Sequence, residues 1–467
     1  MTHLMGTELE YGIAELQCLP EPDPDLQAKP FFANPTLEVL QKSHRAGMKS
    51  LRKNLGLITV GGCSTSHTSS GGRLYIDVVG HPEYSTPEVE GLDDLVATEM
   101  AGDRLMLALF AAAYDAGKIK DFRLNRCVTD GLHAGWGYHE NYLVSRPDGG
   151  INIAEFQNRP NSETVQANLA LLGLHRATMP IYAGAGSVVA GRGGQPIFTI
   201  SQKHNVLNIT FVDGTTADKP LINLRDEPHA DIDKYMRLHL VDGDPNMSPA
   251  ATKMKLGTTS LVLRMIEHKL LNDFPFQFGP ANLYILAKQV AKDPTCAAKY
   301  ETIDGKHVSA NDIQYEYLQR TSILADRYGL TQDDKWVQAT WEQGLDAIAK
   351  DPLGLSWSDW TARYKILRKK FGEAAGWQKQ NWLDISSRSL QFDRIGTAGS
   401  IGELLRQKIW SDHMPTEAEI QKRMLYPPAG GRAERRANYI RTGTCTEADW
   451  EFVKRAGHTA RINLPVL

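Results

Sequence analysis

Several short stretches of the chain carry acids, arginines, a tyrosine and histidines at spacings that could assemble one reaction centre. "GTELEYG" holds Glu8 and Glu10, "RLYIDVVGHPEYSTPE" holds Arg73, Tyr75, Asp77, Glu83 and Glu88, "HENYLVSR" holds His139 and Asn141, and "RDEPH" holds Arg225 to His229. A strand from Arg73 to Val79 has period two, which puts Arg73, Tyr75 and Asp77 on one face and leaves Leu74, Ile76 and Val78 to anchor the other in the core. The same reading puts Glu8 and Glu10 on one face of a first strand. Two like charges 4 Å apart cost on the order of 4 kcal/mol at an effective dielectric of 20, so ionised carboxylates cannot share a cleft unaided. Divalent cations resolve that conflict. An oxygen-rich donor set with one histidine suits Mg²⁺ or Mn²⁺ better than Zn²⁺. The pattern is that of a magnesium–nucleotide site, although neither a GxxxxGK[ST] loop nor a dinucleotide fingerprint is present.

The elements that must position these residues read as α+β. Asn34 to about Asn54 has helical spacing, with Lys42, Arg45, Lys49 and Arg52 along one stripe; such a stripe is most simply a solvated face, and its alternative is a dock for an acidic partner. "GGCSTSHTSSGG" reads as a small-residue loop. A long helix starts from Asp93 or Asp94 as cap and stops at Gly117. Ser248 and Pro249 open another that reaches about Leu271. "NYLVS", "IFTIS" and "LNITFV" are short strands between them, which predicts a largely antiparallel sheet.

Composition narrows the class. The chain has 467 residues, 42% hydrophobic and 23% charged, which is ordinary globular content. A formal net charge of −3 gives no global attraction to nucleic acid or anionic lipid. No run reaches the roughly eighteen apolar residues of a membrane span, and the N-terminus lacks a signal-peptide pattern, so a cytoplasmic protein is expected. Five cysteines without CxxC spacing read as reduced packing residues. The glycine-rich "IGTAGSIG" is expected to divide a catalytic domain, 1–395, from a small C-terminal domain, 396–467.

The acid, histidine and arginine motifs resemble the glutamine synthetase-like carboxylate-amine ligase superfamily. Much closer is the resemblance to the Pup ligase and depupylase family of proteasome accessory factor enzymes. "GTELEYG", "RLYIDVVGHPEYSTPE", "HENYLVSR", "LINLRDEPHADIDKYMRLHLVDGDPNMSPAATKMKLGTTSLVL" and "DIQYEYLQR" follow that family in order over most of the chain, and "YPPAGGRAERR" with "ADWEFVKRAGHTARINLP" resembles its small C-terminal domain. The resemblance implies a curved, mainly antiparallel sheet cradle packed by helices, with ATP and Mg²⁺ as cofactors. It implies metal-binding roles for Glu8, Tyr75 and Glu83, joined by Glu10, His139 and His239 by analogy with the superfamily. Arg73, Thr86, Arg225, Arg237 and Trp450 are implied for the nucleotide, with Trp450 closing over the adenine, and Asp77 as the catalytic aspartate. The implied partners are Pup or a Pup-like tag and its lysine conjugates, with a link to a bacterial proteasome.

Lys203 in "ISQKH" stands where the family usually has Arg, Ser145–Gly184 is longer than expected, and "NRCVTDGLHAGWGYHEN" replaces an Asn-Asn-x-Asp approach. These departures suit a divergent member acting on a Pup-like protein. "GTELEYG" and "KLGTTSLVL" resemble the depupylase rather than the ligase, whose opening follows an Ile-Glu-Thr-Glu-Phe pattern. The favoured reading is therefore hydrolysis of a Pup–lysine isopeptide bond and deamidation of a C-terminal Gln. The alternatives are Pup–protein ligation through a γ-glutamyl phosphate, a catalytically silent nucleotide-binding adaptor, and a small-molecule γ-glutamyl ligase.

Overall fold

The computed structural model describes residues 3–15, 35–62, 64–132, 135–146, 151, 153, 163–214, 217–396, 400–455 and 457–462. Its first strands are β1 Met5–Glu10, β2 Gly12–Glu15, β3 Thr59–Gly61, β4 Thr65–Thr68, β5 Arg73–Ile76, β6 Pro82–Ser85, β7 Phe122–Asn125 and β8 Tyr138–Ser145. They are followed by β9 Ser187–Ala190, β10 Pro196–Thr199, β11 Ile209–Val212, β12 Pro220–Asn223 and β13 Tyr235–Leu240. Seven of them form an antiparallel sheet in the order β13-β8-β1-β6-β5-β4-β3. β9 and β10 form a separate antiparallel ribbon, and β11 pairs with β12 in parallel.

Alternation divides the large sheet into two chemistries. Leu9, Leu74, Ile76, Tyr84, Tyr138, Tyr142, Leu238 and Leu240 are buried on one face, against helices α1 (Leu37–Leu55), α2 (Leu92–Asp115), α3 (Glu163–Thr178) and α4 (Pro249–Glu267). The other face carries the polar residues, with Glu8, Glu10, Arg73, Tyr75 and His139 half-buried and Glu83, Ser85 and His239 buried. Two glycines set how closely the helices approach. A Cβ on Gly102 of α2 would lie 2.2 Å from the Tyr84 ring, and one on Gly47 of α1 would lie 2.4 Å from the Leu109 carbonyl oxygen. Larger residues there would push α2 off β6 and α1 off α2.

Several local expectations change. α2 begins at Gly91 instead of Asp93 or Asp94, because Asp333 Oδ2 accepts from the Leu92 amide at 2.8 Å and caps the helix from a distant element. Ser248 caps α4 as expected, its Oγ accepting from the Ala251 amide at 3.2 Å, but the helix ends at Glu267, four residues before the expected Leu271. The Ser/Thr-rich stretch expected to be loop contains β4, which pairs with both β3 and β5. Lys42, Arg45, Lys49 and Arg52 are all exposed on α1. Among the described residues, no helix is long and apolar enough to cross a membrane.

The strand expected from Arg73 to Val79 stops at Ile76. Asp77 lies in a tight turn: its amide donates to the His81 carbonyl at 2.9 Å, and its Oδ1 accepts from the amides of Val79 (3.0 Å) and His81 (2.6 Å). Gly80 sits at φ +95°, a conformation that favours glycine. Val78 therefore anchors nothing in the core. It is 98% exposed, and Val79 is 57% exposed.

Candidate functional site

Register brings the polar positions into rows across the sheet. Glu8 faces Ser85 of β6 on one side and His139 of β8 on the other. Glu10 faces Glu83, which in turn faces Tyr75, while Arg73 faces Ser85 and His239 faces Asn141. With Asp77 from the turn they open onto a cleft of about 770 Å³, whose other walls include Lys203, Lys219, Arg225, His229, Arg237 and Trp450. Thr86 lines a smaller adjoining pocket with Glu8, Arg237, Arg432 and Trp450. Its Oγ1 accepts from the Thr7 amide at 2.9 Å.

Two donor groups have the compactness of cation sites. In the first, ligand atoms of Glu8, His139 and His239 lie within 4.8 Å of one another. Glu8 Oε2 is 3.2 Å from His139 Nδ1 and 3.7 Å from His239 Nε2, and its other oxygen is 3.5 Å from Arg237 Nη1. Burial opposes the Glu8 charge, but the His139 hydrogen bond and the charges of His239, Arg237 and His139 outweigh it and hold the carboxyl well below the usual range. The second group joins Glu10 to Asp77 and His81. Glu10 Oε2 accepts from the Gly137 amide at 2.7 Å and lies 2.7 Å from His81 Nδ1, while Asp77 Oδ2 is 3.5 Å from the same nitrogen. Burial would discharge His81, but hydrogen bonds and charges from Asp77 and Glu10 push it up to about 9.

Glu10 is thus tied to the Asp77 turn through His81. Between the two groups lies Glu83, held well above the usual carboxylate range by burial first and then by the charges of Glu8 and Glu10. Tyr75 is hydrogen-bonded to Glu83, and its hydroxyl accepts from Ser85 Oγ at 3.2 Å. A row of acids that forces one member to keep its proton is short of positive charge. Both ring nitrogens of His239 are buried without a hydrogen-bond partner. The donor set of Glu8, His139 and His239 therefore fits a divalent cation, with Glu83 and Tyr75 beside it.

Beside the Glu8 group the cleft gathers arginines and an aromatic ring. Arg73 Cζ lies 4.3 Å from the Tyr75 ring centre, and its Nε is buried without a hydrogen-bond partner. Arg237 is fixed by Nη1 donating to Asn141 Oδ1 and Nε donating to the Glu227 carbonyl, both at 2.7 Å. Arg225 is exposed at the rim and paired with Glu227 at 2.8 Å. Half-buried Trp450 packs edge-on to His67, ring centres 5.4 Å apart, with Arg436 Cζ 4.7 Å from its own ring centre.

Sequence reading missed the clasp behind Trp450. Glu88 Oε1 accepts from Arg432 Nε at 2.7 Å and Glu88 Oε2 from Arg436 Nη2 at 2.6 Å, while Arg436 also donates to the carbonyls of Gly71 (2.7 Å) and Trp450 (3.2 Å). Its only signal was Arg432 and Arg436 at i, i+4 on one helix, Arg432–Arg441. Lys203, noted only as a departure, is buried in the cleft wall and lowered to about 8 by burial, against the pull of Glu10. His81 carries no local sequence signal, because its partner Glu10 sits on another strand.

Comparison with known proteins matches this architecture. The family model described as Pup-ligase protein matches residues 3–454. The chain is 36% identical to a depupylase of Acidothermus cellulolyticus over 329 residues, 69% of this chain and 60% of that protein's length. It is 32% identical to a Pup–protein ligase of Nocardioides over 396 residues, 82% of each chain. It is 30% identical to a Pup–protein ligase of Acidimicrobium ferrooxidans over 404 residues, 84% of this chain and 83% of that one. The fold is that of the ligase PafA solved in complex with Pup, at TM-score 0.75 and 23% identity over 99% of this chain and 89% of that one. The ADP complex of PafA superposes at TM-score 0.70 with 24% identity over 86% of both chains. On the match of the family model across nearly its whole length, the chain belongs to the Pup-ligase family.

Proposed function

We propose that this chain is an ATP- and Mg²⁺-dependent depupylase and Pup deamidase, hydrolysing the bond between the side-chain carbonyl of a tag's C-terminal Glu and a target lysine, and the C-terminal Gln amide of the free tag. The observation that carries the hydrolytic reading is the opening strand. Tyr11 of "GTELEYG" stands where the ligase pattern has Phe, and its hydroxyl donates to buried Asp103 at 2.9 Å, so the depupylase-like residue is built into the core beneath the site. The 36% identity with a depupylase supports the same side. The longer coverage of both ligases supports isopeptide bond formation as the second reading.

Glu8, Tyr75 and Glu83, with His139 and His239, would hold the divalent cation, and Arg73, Arg225 and Arg237 the phosphates; Thr86 and Trp450 would hold the nucleoside end. The bound cation supplies the positive charge that lets the acids share one cleft and that polarises an oxygen brought to it. Asp77 acts on the carbonyl, either by attacking it or by taking the proton of the attacking water, and His81 keeps Asp77 oriented. The elements of water are added, the C–N bond breaks, and the released lysine amine or ammonia carries away the proton. Trp450 comes from the C-terminal domain proposed from residue 396.

Intact mass after incubation with Mg²⁺–ATP separates the readings. Conversion of a Gln-ending tag to its Glu form, or release of target from a tag–lysine conjugate, supports hydrolysis. ADP formation with conjugation of a Glu-ending tag to a lysine protein makes the chain a ligase. Glu88→Gln leaves Arg432 and Arg436 short of charge and is expected to raise the KM for ATP on the order of tenfold, with kcat at saturating ATP little changed. Steady-state kinetics against ATP check it. The exposed α1 stripe is the proposed contact for an acidic part of the tag. Arg45→Glu with Lys49→Glu is expected to raise the KM for the tag several-fold at low salt, and an unchanged KM returns the stripe to a plain solvated face.

A further inference from the structure

Strand β4 carries one ionisable side chain, His67, that the proposed chemistry leaves unused. His67 lies opposite Arg73 in the β4–β5 register, so both stand on the cleft face of the sheet. Glu8, Ser85, Arg73 and His67 therefore form one row across β1, β6, β5 and β4, and at about 4.8 Å per strand the row carries His67 roughly 14 Å from the Glu8 group. The side chain is 5% exposed, and its Nδ1 is enclosed with no hydrogen-bond partner among the described residues. A buried polar nitrogen left unpaired costs free energy that an apolar residue in the same place would not. Its neighbours belong to the cleft: Arg73 and Trp450 both line it, with Trp450 edge-on to the imidazole and Arg436 over the Trp450 ring.

We infer that His67 reads the base of the bound nucleotide: its Nδ1 accepts a hydrogen bond from the exocyclic amino group of adenine, which makes the site select adenine over purines that carry oxygen or hydrogen in its place. The inference rests on the reading that Trp450 holds the nucleoside end, and deepens it. With the phosphates at the cation group, the row of side chains gives the nucleotide its direction. The base then comes to the far end, where Trp450 offers a flat apolar surface and His67 a polar atom without a partner. Burial, with the charges of Arg436 and Arg73 behind it, lowers the imidazole to about 3, so the ring stays neutral and keeps one nitrogen lone pair at working pH. The same two guanidinium charges favour the lone pair over the N–H on the enclosed nitrogen, which assigns Nδ1 as the acceptor. A lone pair takes a hydrogen bond from an NH₂ group and is repelled by a carbonyl oxygen. A site built around one hydrogen bond rejects the analogue that lacks it, since its own polar atom is then left unpaired.

Titration calorimetry on the full chain with Mg²⁺ tests it, with nucleoside diphosphates as probes so that no phosphoryl transfer intervenes. The probes are ADP, inosine diphosphate, whose base carries oxygen in place of the amino group, and purine riboside diphosphate, which carries hydrogen there. The wild-type chain is expected to bind ADP about tenfold more tightly than purine riboside diphosphate, and inosine diphosphate no more tightly than the latter. His67→Phe keeps a ring against Trp450 and removes the acceptor. It should bind ADP at the level of purine riboside diphosphate, whose own affinity should stay within about twofold of wild type. A wild-type chain indifferent to the amino group overturns the inference, and this arm needs no variant. So does a variant that keeps the preference, or one that weakens all three ligands by the same factor, since His67 would then only pack Trp450. If none of the three binds, the reading of Trp450 and Thr86 as the nucleoside end falls together with the inference. If all three bind alike, that reading stands and the assignment to His67 alone is wrong.

Discussion

Asp77→Asn is expected to lower kcat for tag hydrolysis by at least about 10²–10⁴-fold, the range lost with a positioned base, and by more where the carboxylate is the nucleophile. Nucleotide affinity should stay within about twofold. The substitution is nearly isosteric, and Oδ1 of asparagine still accepts from the amides of Val79 and His81, so the turn keeps its shape. What changes is Oδ2, which becomes an NH₂ group facing His81 Nδ1 3.5 Å away. It can neither attack a carbonyl nor take a proton, and it removes one of the two charges that hold the imidazolium. Arg73, Arg237, Thr86 and Trp450 line other parts of the cleft and its adjoining pocket and are untouched. Single-turnover cleavage of a tag–lysine conjugate, read beside calorimetric ATP binding, separates the two effects. Turnover retained within tenfold would remove Asp77 from the chemistry.

The parts of this site that were legible in the sequence are those carried by local periodicity. Glu8 and Glu10 alternate with Leu9, and Arg73 and Tyr75 with Leu74 and Ile76; any half-buried strand writes that pattern. The same rule misplaced Val78, because the apolar run "LYIDVV" continues the alternation while the backbone has already turned at Asp77 and Gly80. β4 was read as loop because Ser and Thr carry turn propensity as well as strand propensity, and only its pairing with β5 decides the matter. The partners of His81, Trp450 and Arg436 were invisible for a different reason. Glu10 lies 71 positions from His81, and Glu88 lies 348 from Arg436. Such contacts exist only once the sheet register and the packing of the Arg432–Arg441 helix are fixed. Residue types announced that a cation and an anion would meet here, and topology chose which.

The largest effect on stability is expected from a residue that never touches the cleft. Arg176 of α3 is fully buried behind the sheet and binds two carboxylates at once: Nε and Nη2 donate to Asp242 at 3.0 and 2.9 Å, and Nη1 and Nη2 donate to Glu140 at 2.9 and 2.8 Å. Glu140 lies on β8 between His139 and Asn141, pointing to the opposite face, and Asp242 follows the end of β13. The guanidinium thereby joins the two strands that carry His139 and His239. Arg176→Met leaves two buried carboxylates without their counter-ion and is expected to cost about 3–5 kcal/mol, read as a lower urea midpoint. The triple variant with Glu140→Gln and Asp242→Asn should recover much of that loss, since the cost comes from unpaired charge more than from lost volume. The pH dependence follows in sign. In the wild-type chain burial disfavours the Asp242 charge, but Arg176 outweighs it and lowers the carboxyl to about 2. Its contribution is therefore present above the usual carboxylate value and fades as pH falls toward 2. In the variant burial acts on the Asp242 carboxyl without the Arg176 charge against it, so the folded state takes up a proton more readily and gains stability on acidification. The gap between wild type and variant must therefore narrow from pH 7 to pH 4. A gap that stayed constant would mean that the lost methylene packing, and not the charge, sets the cost.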